Sequence, residues 1–270
     1  MMMRRSSILV QGIEINVITA GTGAPILFLH GNPDSAQVWD GVIEHLQADF
    51  HCIAIDLPGF GESGPGDDFE VSLENLAAFI NEVVAALELA LPIHLVVHDI
   101  GGPFGLAWAV RHPQRVKGIG ILNTIFSSDY RWHVFGRIWR TPILGELSWL
   151  LFNRWLFTLG MQRLNPRLSR AQIQRSYDNF DAPMRRMILR FYRATDPEDF
   201  QGWEEELQAV LQRVPASVLW GDEDPYIPAR FADQFGAQQV HHVPEGGHWL
   251  MLERPQWVAA TLAELFAAAS

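Results

Sequence analysis

Two hydrophobic rhythms alternate along the chain. Residues 25–29, 50–55, 93–97, 116–122, 216–220 and 239–243 form short runs rich in apolar or β-branched side chains. Such runs read as strands covered on both faces. Between them, residues 35–46, 71–89, 102–110, 228–235 and 255–268 place apolar residues at helical spacing. Residues 7–10 and 14–19 predict a leading antiparallel pair, turned at Gln11-Gly12. Strand–helix alternation predicts a parallel sheet with crossover helices. The alternation stops near Ile125. From 127 to 201 there is no strand pattern, only aromatic- and Leu-rich segments punctuated by Pro142, Gly160, Pro166 and Pro183. The expected organisation is an α/β core of residues 1–125 and 202–270, interrupted by a helical cap of residues 126–201. A block inserted at the carboxyl end of a parallel strand lies over the sheet's ligand-binding edge and is placed to act as a lid.

Composition narrows this picture. A chain of 270 residues that is 48% apolar buries a sizeable core, and its 10 Trp and 16 Phe suggest an apolar pocket. The net charge of −11 disfavours nucleic acid and anionic membranes as partners. Cys52, the single cysteine, sits in an apolar run and reads as a buried structural thiol. No Cys/His cluster has zinc spacing, so no metal is expected, and no cofactor is implied. The apolar run after Met-Met-Met-Arg-Arg-Ser-Ser is too short for a signal peptide, and no stretch is long enough to span a bilayer. A cytoplasmic location is the expectation. Nothing in the sequence speaks to oligomeric state.

Four segments carry candidate chemistry. In Leu95-Val96-Val97-His98-Asp99-Ile100-Gly101-Gly102 a buried strand runs through a tight turn into a Gly-rich helix start. The apex is Asp99, and no true G-x-S-x-G occurs; Gly61-Glu62-Ser63-Gly64-Pro65 ends in Pro. A carboxylate is already ionised near neutral pH and can displace a leaving group from an sp³ carbon. An Asp that only caps a helix is the simpler alternative, but it would not ordinarily sit between a Val-rich strand and Gly-Gly. His30-Gly31-Asn32-Pro33-Asp34 follows the strand at 25–29 and can bring backbone N–H groups and the Asn32 amide beside Asp99. In Trp220-Gly221-Asp222-Glu223-Asp224-Pro225, Asp224 sits deepest in the loop, and Asp222 and Glu223 read as solvated. In Pro244-Glu245-Gly246-Gly247-His248, a flexible Gly-Gly loop is expected to swing His248 toward a pocket, completing the chain order nucleophile, acid, base.

At these residues the chain resembles the α/β-hydrolase superfamily, in the Asp-nucleophile branch with haloalkane dehalogenases and epoxide hydrolases. Further marks are Asp56-Leu57-Pro58-Gly59-Phe60-Gly61-Glu62-Ser63, a structural turn shared across the superfamily, and His112-Pro113-Gln114-Arg115-Val116. The resemblance implies the α/β-hydrolase fold, a mostly parallel central sheet with flanking helices and a helical cap. It also implies hydrolysis of a small apolar substrate by water, without cofactor. Asp99 forms an alkyl ester, with Asn32 and the Ile100 backbone N–H serving the oxyanion or leaving group. His248, held by Asp224, then activates the water. His-Gly-Asn-Pro looks most like dehalogenases, so carbon–halogen cleavage is the leading expectation. The chain departs from them at Ile100, where they usually carry Trp; Trp132 or Trp139 are candidate replacements. Epoxide hydrolase is the alternative, with Tyr130, Tyr177 and Tyr192 as candidate cap donors, although those enzymes usually have an aromatic residue in place of Asn32. A non-catalytic small-molecule binding protein on the same fold is the third reading, against which the intact Asp99, Asp224 and His248 set speaks.

Overall fold

In the computed structural model, which describes residues 3–268, the strand-like segments form one eight-stranded sheet. The first two residues of the Met-rich opening lie outside the described residues. The elements, in chain order, are β1 (Arg4–Val10), β2 (Ile13–Ala20), β3 (Ala24–Leu29), α1 (Asp40–Leu46), β4 (Phe50–Ile55), α2 (Leu73–Ala86), β5 (Ile93–Asp99), α3 (Gly101–Arg111) and β6 (Val116–Thr124). Six helices follow without a strand among them: α4 (Val134–Arg140), α5 (Leu144–Ser148), α6 (Arg154–Leu164), α7 (Arg170–Asp178), α8 (Ala182–Ala194) and α9 (Trp203–Leu211). The chain then returns to the sheet with β7 (Ala216–Gly221), α10 (Arg230–Gln234), β8 (Gln239–Val243), α11 (Leu250–Glu253) and α12 (Pro255–Ala268).

The strand order is β1-β2-β4-β3-β5-β6-β7-β8, antiparallel through β2 and parallel from β4 onward. Side chains of the central strands alternate between two cores, as the two-residue period requires. Leu27, Leu29, Leu95 and Val97 face one core with α2 and α3. Ile26, Phe28 and Val96 face the other with α1 and α12. Because β4 lies on one side of β3 and β5 on the other, the sheet reverses its winding between β3 and β5. That point opens a crevice at the strands' carboxyl ends, where the loop after β3 carries Asn32 and β5 ends in Asp99.

The Asp56–Ser63 turn secures this loop. The buried Asp56 carboxylate accepts from the Ala36 N–H at 2.6 Å, and from the Asn16 amide and the Glu62 N–H at 2.8 Å each. The next residue, Leu57, donates its N–H to His30 Nε2 at 3.0 Å. Capture of the Ala36 N–H also changes the expected helix at 35–46. It opens as a 3₁₀ turn, Ala36–Trp39, and becomes α-helical only at Asp40. The expected helix at 228–235 is likewise shorter, beginning in an i→i+3 bond from Phe231 to Pro228 and ending before Gly236 at φ 66°. Among the described residues, no helix is long and apolar enough to cross a membrane, and no group of His, Cys, Asp and Glu could hold a metal ion.

Asp56→Ala leaves three donors without their acceptor at a buried site. It is expected to cost about 3 kcal/mol of stability, read as a lower urea midpoint; an unchanged midpoint would show that the turn does not anchor the loop.

Candidate active site

Asp99 stands at the tip of β5 with φ 48°, a left-handed conformation that costs an ordinary residue about 1–3 kcal/mol. Surrounding glycines make the turn possible. A Cβ on Gly31 would overlap the Asp99 Cβ, and one on Gly102 would overlap the Thr124 hydroxyl. That hydroxyl donates to the Asp99 carbonyl oxygen and pins the strand end to β6. The β3 loop therefore approaches closely enough for the Asn32 N–H to donate to Asp99 Oδ1 at 2.8 Å.

The four sequence segments meet here. His248 Nε2 lies 3.6 Å from Asp99 Oδ2, and His248 Nδ1 lies 2.6 Å from Asp224 Oδ2. Asp224 is fixed on all sides: Asn123 Nδ2 donates to Oδ2 at 2.8 Å, and the Tyr226 and Ile227 N–H groups donate to Oδ1 at 2.7 and 3.0 Å. Burial works to lower the His248 pKa, but the charges and hydrogen bonds of Asp224 and Asp99 outweigh it and hold the imidazole well above its ordinary value. Burial works to raise the Asp99 pKa, and the hydrogen bond and charge of His248 hold it low instead. The resting arrangement is an imidazolium between two carboxylates. Asp222 and Glu223 point away, the first to His242 at 2.6 Å and the second to Arg167 at 2.6 Å.

The Gly246-Gly247 segment corrects one expectation. It is not a hinge for His248 but a close-packed seat: a Cβ on Gly221 would overlap the Gly247 carbonyl. The loop is held further by His98, whose Nε2–H donates to the His248 carbonyl at 3.0 Å. Burial drives the His98 pKa down to about 3, so this ring is a neutral strut. Beside it, Trp249 Nε1–H donates to the buried Asp34 carboxylate at 2.6 Å, which also accepts from the Ser176 hydroxyl of α7 at 2.9 Å. Neither His98 nor Asp34 was assigned a role by sequence reasoning. The adjacency of His98 to Asp99 was the available signal.

A cavity of about 570 Å³ opens above Asp99 and His248, walled mainly by α4–α6, α8 and the loops carrying Asn32 and Tyr226. Its lining is largely apolar, with Ile138, Phe152, Leu156, Phe157 and Phe180 among the walls. Ile100 is buried in the core, and its side chain is absent from the lining. Of the candidate cap aromatics, Trp132 packs on Tyr130 and Tyr192 outside the lining. Trp139 lines the cavity, but its indole N–H is buried and unpartnered. The Tyr130 hydroxyl donates to the Tyr226 carbonyl and that of Tyr177 to the Phe152 carbonyl, each at 3.2 Å. Tyr192 differs. It comes from the inner stripe of α8, with Met184, Met187, Ile188 and Phe191. His133 Nδ1 accepts from the Gly136 N–H, so its Nε2–H donates to the Tyr192 oxygen, at 3.3 Å. Burial lowers the His133 pKa to about 4 and keeps the ring neutral. Burial raises the Tyr192 pKa, and the charge of Asp99 raises it further. The phenol oxygen accepts the His133 N–H, leaving its own proton to donate. His133 is a site residue that sequence reasoning missed.

Residues 24–255 match the family described as alpha/beta hydrolase fold. A haloalkane dehalogenase of Agrobacterium fabrum is 38% identical over 114 residues, 42% of this chain and 37% of that protein; the match spans less than half of the relative. A cis-3-alkyl-4-alkyloxetan-2-one decarboxylase of Xanthomonas campestris pv. campestris is 30% identical over 238 residues, covering 79% of this chain and 77% of the relative. Among solved structures, epoxide hydrolase VrEH1 from Vigna radiata superposes with a TM-score of 0.79 at 18% identity, covering 98% of each chain.

The ion triad has a pH signature. The folded His248 pKa, about 10, lies above the unfolded value of about 6.5. Its contribution to stability is therefore fully present below pH 6.5 and is lost as pH rises through the folded value. By NMR, His248 should remain protonated at pH 8, and Asp224→Asn should lower its pKa by about one unit or more. A wild-type His248 that titrates near pH 6.5 contradicts the arrangement.

Proposed function

The chain belongs to the α/β-hydrolase fold family, and within it we propose a hydrolase that opens a strained oxygen ring, an epoxide above all, through an ester on Asp99. The observation that carries this reading is the Tyr192 hydroxyl, which shares one apolar cavity with Asp99 and accepts a hydrogen bond from His133. In the first step Asp99 Oδ2 attacks a ring carbon. The carbon–oxygen bond breaks, and the departing oxygen takes the Tyr192 proton; His133 stabilises the phenolate. Esterification removes the negative charge of Asp99, one of the two that raise the His248 pKa, so the imidazolium releases its proton to solvent through the open cavity and the neutral ring can act as base. It then takes a proton from water, and the hydroxide adds to the ester carbonyl. The Asn32 N–H, already on Oδ1, and the Ile100 N–H hold the oxyanion until it collapses to a diol and the Asp99 carboxylate. The phenolate recovers a proton from solvent through the open cavity. The helices between β6 and β7 serve as the cap that excludes bulk water.

Carbon–halogen cleavage remains the second reading, supported by His-Gly-Asn-Pro and by the dehalogenase relatives. Against it, Ile100 supplies no side-chain donor and the Trp139 N–H is buried. Losing one such donor costs a leaving anion about 1.5–3 kcal/mol. A binding protein without turnover would have no need of an Asp99 held ionised beside an imidazolium.

Two experiments test the reading. His248→Gln, incubated with alkyl and aryl epoxides, should accumulate a covalent adduct on Asp99 by mass spectrometry, and Asp99→Asn should not; if no epoxide or haloalkane leaves added mass, the ester scheme fails. Tyr192→Phe should lower kcat/KM for epoxides by about 100-fold. If instead the wild type releases halide from bromoalkanes, opens no epoxide, and Tyr192→Phe leaves halide release intact, the carbon–halogen reading prevails.

A further inference from the structure

Exposed large apolar side chains cluster in one stretch of the chain. Ile143 is 73% exposed, Leu150 78% and Trp155 67%, with Leu147 and Leu159 above half. Among the described residues, only Leu9 and Leu91 are exposed large hydrophobics outside 134–164. A contiguous exposed apolar face marks a site of interaction.

The geometry of α6 joins this face to the cavity. Leu156, Gly160 and Leu164, four residues apart, line the cavity along one stripe. Trp155, Leu159 and Arg163 form the neighbouring stripe, all exposed. Gly160 is itself exposed, and a Cβ there would meet nothing within 4 Å. The cavity wall therefore thins to bare backbone beside the exposed Trp and Leu side chains, which places its mouth on the apolar face.

The whole-chain charge of −11 argues against an anionic membrane, but that charge is unevenly distributed. Residues 126–201 hold twelve of the 20 basic side chains, all Arg, and only seven of the 31 acidic ones. Arg137 and Arg163 are exposed and have no ion pair among the described residues. Glu146, the carboxylate within α5, is engaged by Arg193 at 2.8 and 2.9 Å.

We propose that the face formed by α5, α6 and the turn between them docks on an anionic lipid surface, with the cavity mouth turned toward the bilayer. Its apolar side chains enter the headgroup boundary while Arg163, on the exposed stripe of α6, meets lipid phosphates. Apolar substrates dissolved in the bilayer then reach the cavity without crossing water, a consequence that rests on the cavity being the substrate site. A symmetric pairing of two copies through this face is the competing occupant, but it would set each arginine against the same face of its partner.

The test is flotation of the full chain with phosphatidylcholine vesicles, with and without roughly one quarter phosphatidylglycerol. The wild type should float with the anionic vesicles and detach as salt rises from about 0.1 to 0.5 M. The L147S/W155S/L159S variant should bind roughly tenfold more weakly while keeping wild-type turnover of a soluble substrate. R163E, which leaves the apolar face intact, should also weaken binding. Equal binding by either variant, no binding to anionic vesicles, or a light-scattering dimer that the triple variant dissolves without vesicle binding would each overturn the proposal. Flotation reads no turnover, so its failure and the failure of the Asp99 ester scheme are separately visible.

Discussion

The buried contact between the Asp99 carboxylate and the His248 imidazolium is the interaction on which the rest of this site depends. Two carboxylates and one imidazolium leave water together, and none of the three is stable there alone. The fold meets that demand with hydrogen-bond donors placed around each group. Asn123, Tyr226 and Ile227 hold Asp224, the Asn32 N–H holds Asp99, and His98 ties the loop of His248 to β5. The glycines at 31, 102, 221 and 246 follow from the same constraint, because strand ends must approach closely to bring these groups within reach.

The chemistry proposed for the site uses this electrostatic balance. An ion triad is stable at rest and unbalanced by alkylation of Asp99, which turns His248 from an acid's partner into a base at the moment a base is required. The leaving-group side works differently. There the groups are neutral: His133 is kept uncharged by burial, and Tyr192 is held by the His133 N–H. An ionised first half and a neutral second half across one apolar cavity suit a substrate that carries no charge of its own.

Much of the frame was legible in the chain. Strand-end residues announce themselves, because a buried apolar run followed at once by His-Gly-Asn, His-Asp-Ile-Gly or Gly-Gly-His has few structural uses. Asp224 was separable from Asp222 and Glu223 by its depth in the loop and the following Pro. The helices within residues 126–201 were visible as an absence of strand pattern, but neither α9 nor the path by which α8 delivers Tyr192 to His133 was. That contact is made by packing between segments far apart in sequence, for which local periodicity carries no signal. The misreading of Gly246-Gly247 as a hinge has a similar cause: the backbone that crowds it, Gly221, belongs to another strand. Net charge left one feature unread, since a sum over the chain hides the segregation of Arg into residues 126–201.

The central claim is that an oxygen of Asp99 ends in the product. A single turnover in water enriched in heavy oxygen, with enzyme in excess over epoxide, tests it most directly. The account predicts that the first-turnover diol carries only ordinary oxygen and that the peptide containing Asp99 gains one heavy oxygen. Heavy oxygen in the diol, with none in that peptide, would mean that water attacks the substrate directly and that Asp99 is not the nucleophile.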